Sequence, residues 1–176
     1  METLRYCKVR QVKSPARAHG TDAGIDFFVP EDLTLEQMQP KFQTAGYMPI
    51  VVFNDDKQTI KSFLIEPGQS ILIPSGIKME VPEGYMLMYD NKSGVATKKR
   101  LLVGAKIVDI GYQGECHINL HNVSNNLQTI SAGDKICQGI LVKIGFNMPE
   151  EVKSEAELYA SASDRGEGGF GSSGVK

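Results

Sequence analysis

From residue 47 onward, clusters of turn-forming residues interrupt the chain every eight to twelve residues, and the pieces between them are rich in β-branched and aromatic side chains. Asn54-Asp55-Asp56, Glu66-Pro67-Gly68-Gln69, Ser75-Gly76 and Pro82-Glu83-Gly84 separate PIVVF, QTIKSFLI, SILIP, IKMEV and YMLMY, and Ala132-Gly133-Asp134 precedes a last strand over residues 135–144. Punctuation this close leaves little room for helices, so the pattern predicts an all-β sandwich or barrel-like fold. A loosely alternating first strand is expected over residues 4–12, followed by a Gly-rich loop from 14 to 26. The single credible helix lies within residues 31–43. Asp32 or Thr34 is its cap, Leu33, Leu35 and Met38 form its apolar face, and Pro40 limits it. Residues 148–159 are weakly helical, and residues 161–176 consist almost wholly of Gly, Ser and charge.

At 176 residues the chain suits one domain with a substantial core. Its net charge of -2 supplies no global basic field for nucleic acid, so an anionic ligand must be held by local donors. Cys7, Cys116 and Cys137 are odd in number and lack C-x-x-C spacing, which reads as small buried residues in a reducing compartment. The N-terminus has no apolar signal core, and no apolar run approaches ~20 residues. The expectation is a cytoplasmic protein with no membrane association.

Local donors are concentrated in residues 90–122, DNKSGVATKKRLLVGAKIVDIGYQGECHINLHN. Lys92-Ser93-Gly94 combines an ammonium, a hydroxyl and a flexible backbone. Asp109 follows the apolar Ile107 and Val108 and precedes Tyr112. A lone Asp after a strand is most often a turn residue, but a partly desolvated carboxylate within reach of a water can also take its proton. The terminal RGEGGFGSSG admits a flexible tail as its plain reading. Its glycines, with Arg165 to fork onto a phosphate and Phe170 to stack on a base, also suit a mobile lid over a nucleotide. Asp26 sits between Ile25 and Phe27, so a half-buried carboxylate there needs a partner, with a hydrated metal as one option. Gln138, in GDKICQGI, is either outward-facing or a site contact. His117 and His121 would lie roughly 13 Å apart on one face of a strand, which excludes a shared zinc.

Five pieces in this order resemble the trimeric dUTPase family: GTDAGIDFF, NKSGVA, IVDIGYQGE, GDKICQGIL and RGEGGFGSSG. IPSGIKMEVPEGY follows the family pattern as well. The resemblance implies a jelly-roll-like, β-clip fold with a mobile Gly-rich C-terminal arm. It divides the chain into a β domain over residues 1–147, with a probable insertion at 31–62, and an arm over residues 148–176. It implies hydrolysis of dUTP to dUMP and pyrophosphate with Mg2+, in a homotrimer whose sites are shared between chains. By the same carry-over Asp109 activates the attacking water, and Tyr112 packs under the deoxyribose. Lys106, Ile107, Val108 and His117 surround the uracil edge, while Lys92, Ser93, Gly94 and Gln138 attend the phosphates. Asp26 holds waters of the metal, and Arg165, Phe170 and Gly171 close over the substrate.

Several positions depart from the family pattern. Lys92 stands where Arg is usual, Ser173 where Thr is usual, and Lys106 where Gly is common. The dCTP deaminase family, which shares this fold, carries a catalytic Glu where this chain has Asn119, and an amide cannot shuttle that proton. A nucleotide-sensing or partner-binding protein on the same scaffold is the alternative from another class. No motif residue falls within residues 31–62, so excising them is expected to leave hydrolysis largely intact.

Overall fold

The computed structural model describes residues 3–163 and 166–168. The chain divides into two compact units, residues 1–145 and residues 146–176. In the first unit the elements run β1 (Arg5–Lys8), β2 (Ile25–Phe28), α1 (Leu35–Ala45), β3 (Ile50–Phe53), β4 (Ile60–Ile65), β5 (Ser70–Pro74) and β6 (Ile77–Glu80). They continue with β7 (Tyr85–Asn91), a π-helical turn (Val95–Lys99), β8 (Leu101–Val103), β9 (Ile107–Val108), β10 (His117–Asn122), β11 (Gln128–Ser131) and β12 (Lys135–Lys143). Among its described residues the second unit has one short helix, α2 (Glu155–Leu158).

All strand pairs are antiparallel and form four sheets, ordered β2-β12-β7-β9, β5-β10-β8, β11-β4-β3 and β1-β6. The all-β reading of the turn spacing therefore holds. One face of each larger sheet carries the apolar side chains: Phe27, Leu87, Tyr89, Ile71, Ile73, Ile118, Leu120, Phe63 and Ile130 are all at most 1% exposed. Phe27 and Tyr89 meet edge to face at 5.0 Å between ring centroids, which locks β2 and β7 across β12. At the end of β10, the buried Asn122 amide donates to the carbonyls of Ile65 and Asn126. Its oxygen accepts from the Ser124 backbone and hydroxyl, so this polar core group is fully partnered.

Helix α1 runs to Ala45, beyond the expected end at residue 43, and Leu33, expected on its apolar face, precedes its cap. Thr34 caps it with a full capping box to Gln37, and Gly46 ends it in the left-handed region, yet Pro40 lies inside it. Proline removes one backbone bond there, and the burial of Met38 and Phe42 on either side holds the helix across the gap. That burial also corrects the picture of residues 31–62 as detachable. Leu33, Met38, Phe42 and Ile60 are all at most 4% exposed, and Phe42 packs edge to face on Phe63. The Ile60 N–H donates to the Leu33 carbonyl, and β3 pairs along β4. Removing the segment would strip the core beneath β4 and β5 and leave apolar surface open to water.

Met38→Ala should therefore destabilise the protein by about 2–5 kcal/mol, the usual cost of truncating a fully buried long side chain. Urea unfolding measures this, and an unchanged midpoint would show that α1 is peripheral after all.

Candidate active site

Strands β2, β12 and β7 lie side by side, and their register sets Asp26 opposite Gln138 and Gln138 opposite Asp90. Successive residues of a strand face opposite ways, so this row of three polar side chains lies on the face away from Phe27, Cys137 and Tyr89. Asp26 is only 3% exposed and is held between two ammoniums. Lys92 Nζ lies 2.6 Å from Oδ1 and Lys135 Nζ 2.6 Å from Oδ2. The contact at Oδ1 is ionic rather than a well-directed hydrogen bond. Lys135 reaches Asp26 because a bulge between Lys135 and Cys137 shifts β12 by one residue against β2. The shift sets Lys135 opposite Phe28, on the Asp26 side. Burial alone would raise the Asp26 carboxyl, but Lys135 and Lys92 outweigh it and hold it below the ordinary carboxylate value.

The rest of the row is tied in the same manner. Gln138 Nε2 donates to the Asn91 carbonyl at 2.9 Å, and Gly24 makes room for its side chain, since a Cβ there would overlap the amide. Lys106 Nζ pairs with Asp90 Oδ1 at 2.8 Å. That contact, with the Asn91 backbone N–H, holds the Asp90 carboxyl below its ordinary value. Lys92 follows the last residue of β7, and Ser93 and Gly94 are exposed at the start of the π-helical turn. The turn is fastened by the Thr97 hydroxyl, which donates to the Ser93 carbonyl at 2.7 Å.

Asp109 lies elsewhere, on the hairpin between β8 and β10. Ile107 is exposed, Val108 is buried, and Asp109 follows as an exposed residue. The Asp109 side chain has no hydrogen bond or ion pair among the described residues; its carbonyl accepts the Tyr112 N–H. The Tyr112 ring folds over Gly114, where a Cβ would collide with it, and its hydroxyl donates to the Glu115 carbonyl at 3.1 Å. Glu115 is in turn gripped by Arg10 at 2.7 and 3.0 Å and by the Gly76 N–H at 2.8 Å. The same Glu115 carbonyl lies 2.7 Å from His117 Nδ1, which leaves Nε2 buried and without a hydrogen-bond partner. Burial and the Lys41 ammonium push the His117 imidazole below its ordinary value, against the pull of Glu115. Beside Tyr112 a groove of about 870 Å³ opens between residues 110–113 and strands β1 and β6.

The structure thus gathers Asp26, Lys92 and Gln138, with Ser93 and Gly94 following on from Lys92, and separately groups Asp109, Tyr112 and His117 on the hairpin. It does not join the two groups within one chain. Among the described residues no hydrogen bond or ion pair links Asp109 to Lys92, Ser93, Gly94 or Gln138. With Val108 opposite Leu87, Asp109 lies about four residues, or roughly 13 Å, along the β7 direction from Asp90. Arg165, Phe170 and Gly171 lie outside the described residues. The expected role of Asp26 as a metal-water ligand does not fit its surroundings, because both carboxylate oxygens already face lysines. Of the main-chain groups of residues 106–108 expected at the uracil edge, the Lys106 carbonyl accepts the Tyr89 N–H at 2.7 Å.

Sequence reading missed Lys135, Asp90, Glu115 and Arg10. The first and third sit inside quoted motifs, whereas nothing in the sequence links Arg10 to a residue 105 positions away. Asn119 has its own task. Its oxygen accepts from His121 at 2.7 Å and from the Ala105 N–H, and its amide donates to the Ile71 carbonyl. The position where a deaminase needs an acid therefore serves as a clip at the base of the hairpin.

Asp26 is the group whose loss of charge should matter most for stability. Its lowered carboxyl contributes stability that is present above the unfolded value and is lost as pH falls through the folded one. Lys135→Met should raise that folded value, shift acid unfolding to higher pH and cost about 1–3 kcal/mol at pH 7. Urea titrations across pH read both effects, and an unmoved acid transition would remove Lys135 from this role.

Known proteins align with this arrangement. The family model described as dUTPase matches residues 56–174. A deoxyuridine 5'-triphosphate nucleotidohydrolase of Mycobacterium sp. (strain JLS) is 30% identical over 168 residues, covering 94% of this chain and 90% of the relative. The protein of the same name from Chlamydia trachomatis is 37% identical over 137 residues, covering 77% of this chain and 90% of the relative. Among solved structures, the dUTPase of Staphylococcus bacteriophage 80alpha, a mutant with dUpNHpp, superposes with a TM-score of 0.73. It is 25% identical and covers 99% of this chain and 100% of its own. A match that runs through the hairpin, the Gln138 strand and on to residue 174 leaves one conclusion: the chain belongs to the dUTPase family.

Proposed function

We propose that this protein hydrolyses dUTP to dUMP and pyrophosphate, with Asp109 as the base that activates water for attack on the α-phosphorus. The observation that carries this reading is the contrast between two kinds of carboxylate. Asp26 and Asp90 are ion-paired, whereas the Asp109 side chain has no partner among the described residues, beside an aromatic ring fixed by Glu115. An unpartnered carboxylate can accept a hydrogen bond from water and take its proton as the oxygen attacks. Tyr112 presents a ring face beside it for the deoxyribose, where a 2′-hydroxyl would have no room. Lys92, Ser93, Gly94 and Gln138 offer donors for the phosphates, with Lys135 beside them.

Mg2+ suits this scheme as the counter-ion of the triphosphate, since it prefers phosphate and water oxygens to an all-protein cage. When bound, it would polarise the phosphoryl group. The dUTPase of phage phi11 is described with a structural Mg(II) ion, in a protein of the same fold. An intracellular nucleotide substrate supports the reading of a cytoplasmic enzyme.

The separation of Asp109 from the phosphate donors in one chain supports a homotrimer with shared sites. Ile107, Ile110 and Tyr112 are exposed along the hairpin and the groove beside it, which leaves apolar surface for a neighbour to cover. In this reading residues 1–147 form the β domain, and residues 148–176 form the arm that brings Arg165, Phe170 and Gly171 to the substrate. Asn119 in its clip position speaks against deamination.

Asp109→Asn should keep dUTP binding while lowering turnover by about 10²–10⁴-fold, the usual loss on removing a general base. Near-normal turnover in the purified variant would take the role from Asp109. Sharing is read by mixing Asp109→Asn with a chain truncated after Ser163, each inactive alone, then unfolding and refolding them together. Random trimers would recover roughly a quarter of wild-type activity if the arm acts in trans. A dead mixture whose mixed trimers are confirmed by mass would show that each chain uses its own arm.

A further inference from the structure

Among the described residues, the strand that leads to Asp109 is the shortest. Strand β9 has two residues and two ladder pairs on β7, Met88 with Ile107 and Leu87 with Val108. A ladder that short specifies register weakly, and a slip of one residue would move Asp109 by about 3.3 Å and turn its side chain to the other face. Misplacement by even ~1 Å can cost ~10²-fold in rate, so something beyond the ladder must hold the hairpin. Lys106, immediately before β9, grips β7 twice. Its carbonyl accepts the Tyr89 N–H at 2.7 Å, and its ammonium pairs with the next residue, Asp90, at 2.8 Å. Main chain and side chain thus bind two consecutive residues of one strand, a combination that a slipped register cannot satisfy. Asp90 is also the ladder neighbour of Gln138, so the contact ties the hairpin to the strand beside the phosphate donors.

We propose that the Lys106–Asp90 ion pair is a positioning clamp that fixes the register of the Asp109 hairpin on β7. Lys106 then acts through Asp109 rather than on the substrate. Both partners are more than one-third exposed, at 38% and 36%, so the pair itself is weak. Its leverage comes from the residue it aims. The catalytic consequence rests on the reading of Asp109 given above; the structural one does not.

The test uses the full-length protein with Lys106→Met, Asp90→Asn, the double variant, and the exchanged pair Lys106→Asp with Asp90→Lys. Steady-state kinetics on dUTP and amide hydrogen exchange across residues 106–112 are measured for each. Each single variant should lower kcat by about five- to twenty-fold with KM changed by less than about two-fold. The double variant should be no worse than either single, and the exchanged pair should return to within about three-fold of wild type. Exchange of the hairpin amides should quicken by about two- to five-fold in the single variants, while core amides stay unchanged. A rise in KM with kcat held would make Lys106 a phosphate contact and overturn the clamp. Additive losses, or unchanged hairpin exchange, would overturn it equally. If the wild-type protein fails to hydrolyse dUTP, the functional reading falls, and the exchange measurement still decides the clamp.

Discussion

A carboxylate at 3% exposure inside a β-sheet, with an ammonium 2.6 Å from each oxygen, is the constraint around which this molecule is arranged. A buried charge without partners would be too costly to keep, so Asp26 requires both Lys92 and Lys135 at its sides. Meeting that requirement explains several local features together. The bulge in β12 turns Lys135 towards Asp26, Lys92 leaves β7 at the matching level, and Gly24 leaves space for the Gln138 amide. The opposite face of the same strands carries Phe27, Tyr89 and Cys137, so the polar row is backed by fully buried core residues. Placing polar groups on paired strands fixes their spacing, which is the condition for the electrostatic preorganisation the proposed function calls for.

The hairpin that carries Asp109 is built on the other principle, as a projecting loop anchored at its base. Asn119 clips its beginning through Gly104 and Ala105, Lys106 holds the approach to β9, and Glu115 secures its end through Arg10 and Gly76. Between these anchors the chain leaves Ile107, Asp109, Ile110 and Tyr112 at the surface. Rigid ends with an exposed middle fit the role proposed above for Asp109 and Tyr112. Loops held on a firm scaffold are the common location for such residues.

Residues 31–62 show how a segment without motifs can belong to the core. Helix α1 lays Met38 and Phe42 over the sheet of β4 and extends to β5, and its Lys41 contributes to the electrostatic setting of His117. The segment carries no motif, yet the core closes through it. A stretch without functional residues can still be indispensable, because burial rather than chemistry determines whether it can be removed.

The sequence alone determined the fold class and, through its motifs, the family. Close turn punctuation excludes long helices, Asp32 or Thr34 marks where α1 can start, and five motifs in order carry the resemblance to the dUTPase family. These are local signals, carried by residues a few positions apart. The tertiary structure alone decided which side chains meet across distance: Arg10 with Glu115, Lys135 with Asp26 through a bulge, and Lys106 with Asp90. It also decided that Pro40 stays inside a helix, because packing of Met38 and Phe42 outweighs one lost backbone bond. The physical reason is common to all of these. Strand register and burial arise from pairings between distant segments, and a one-residue shift in a ladder changes every partner while leaving the sequence the same.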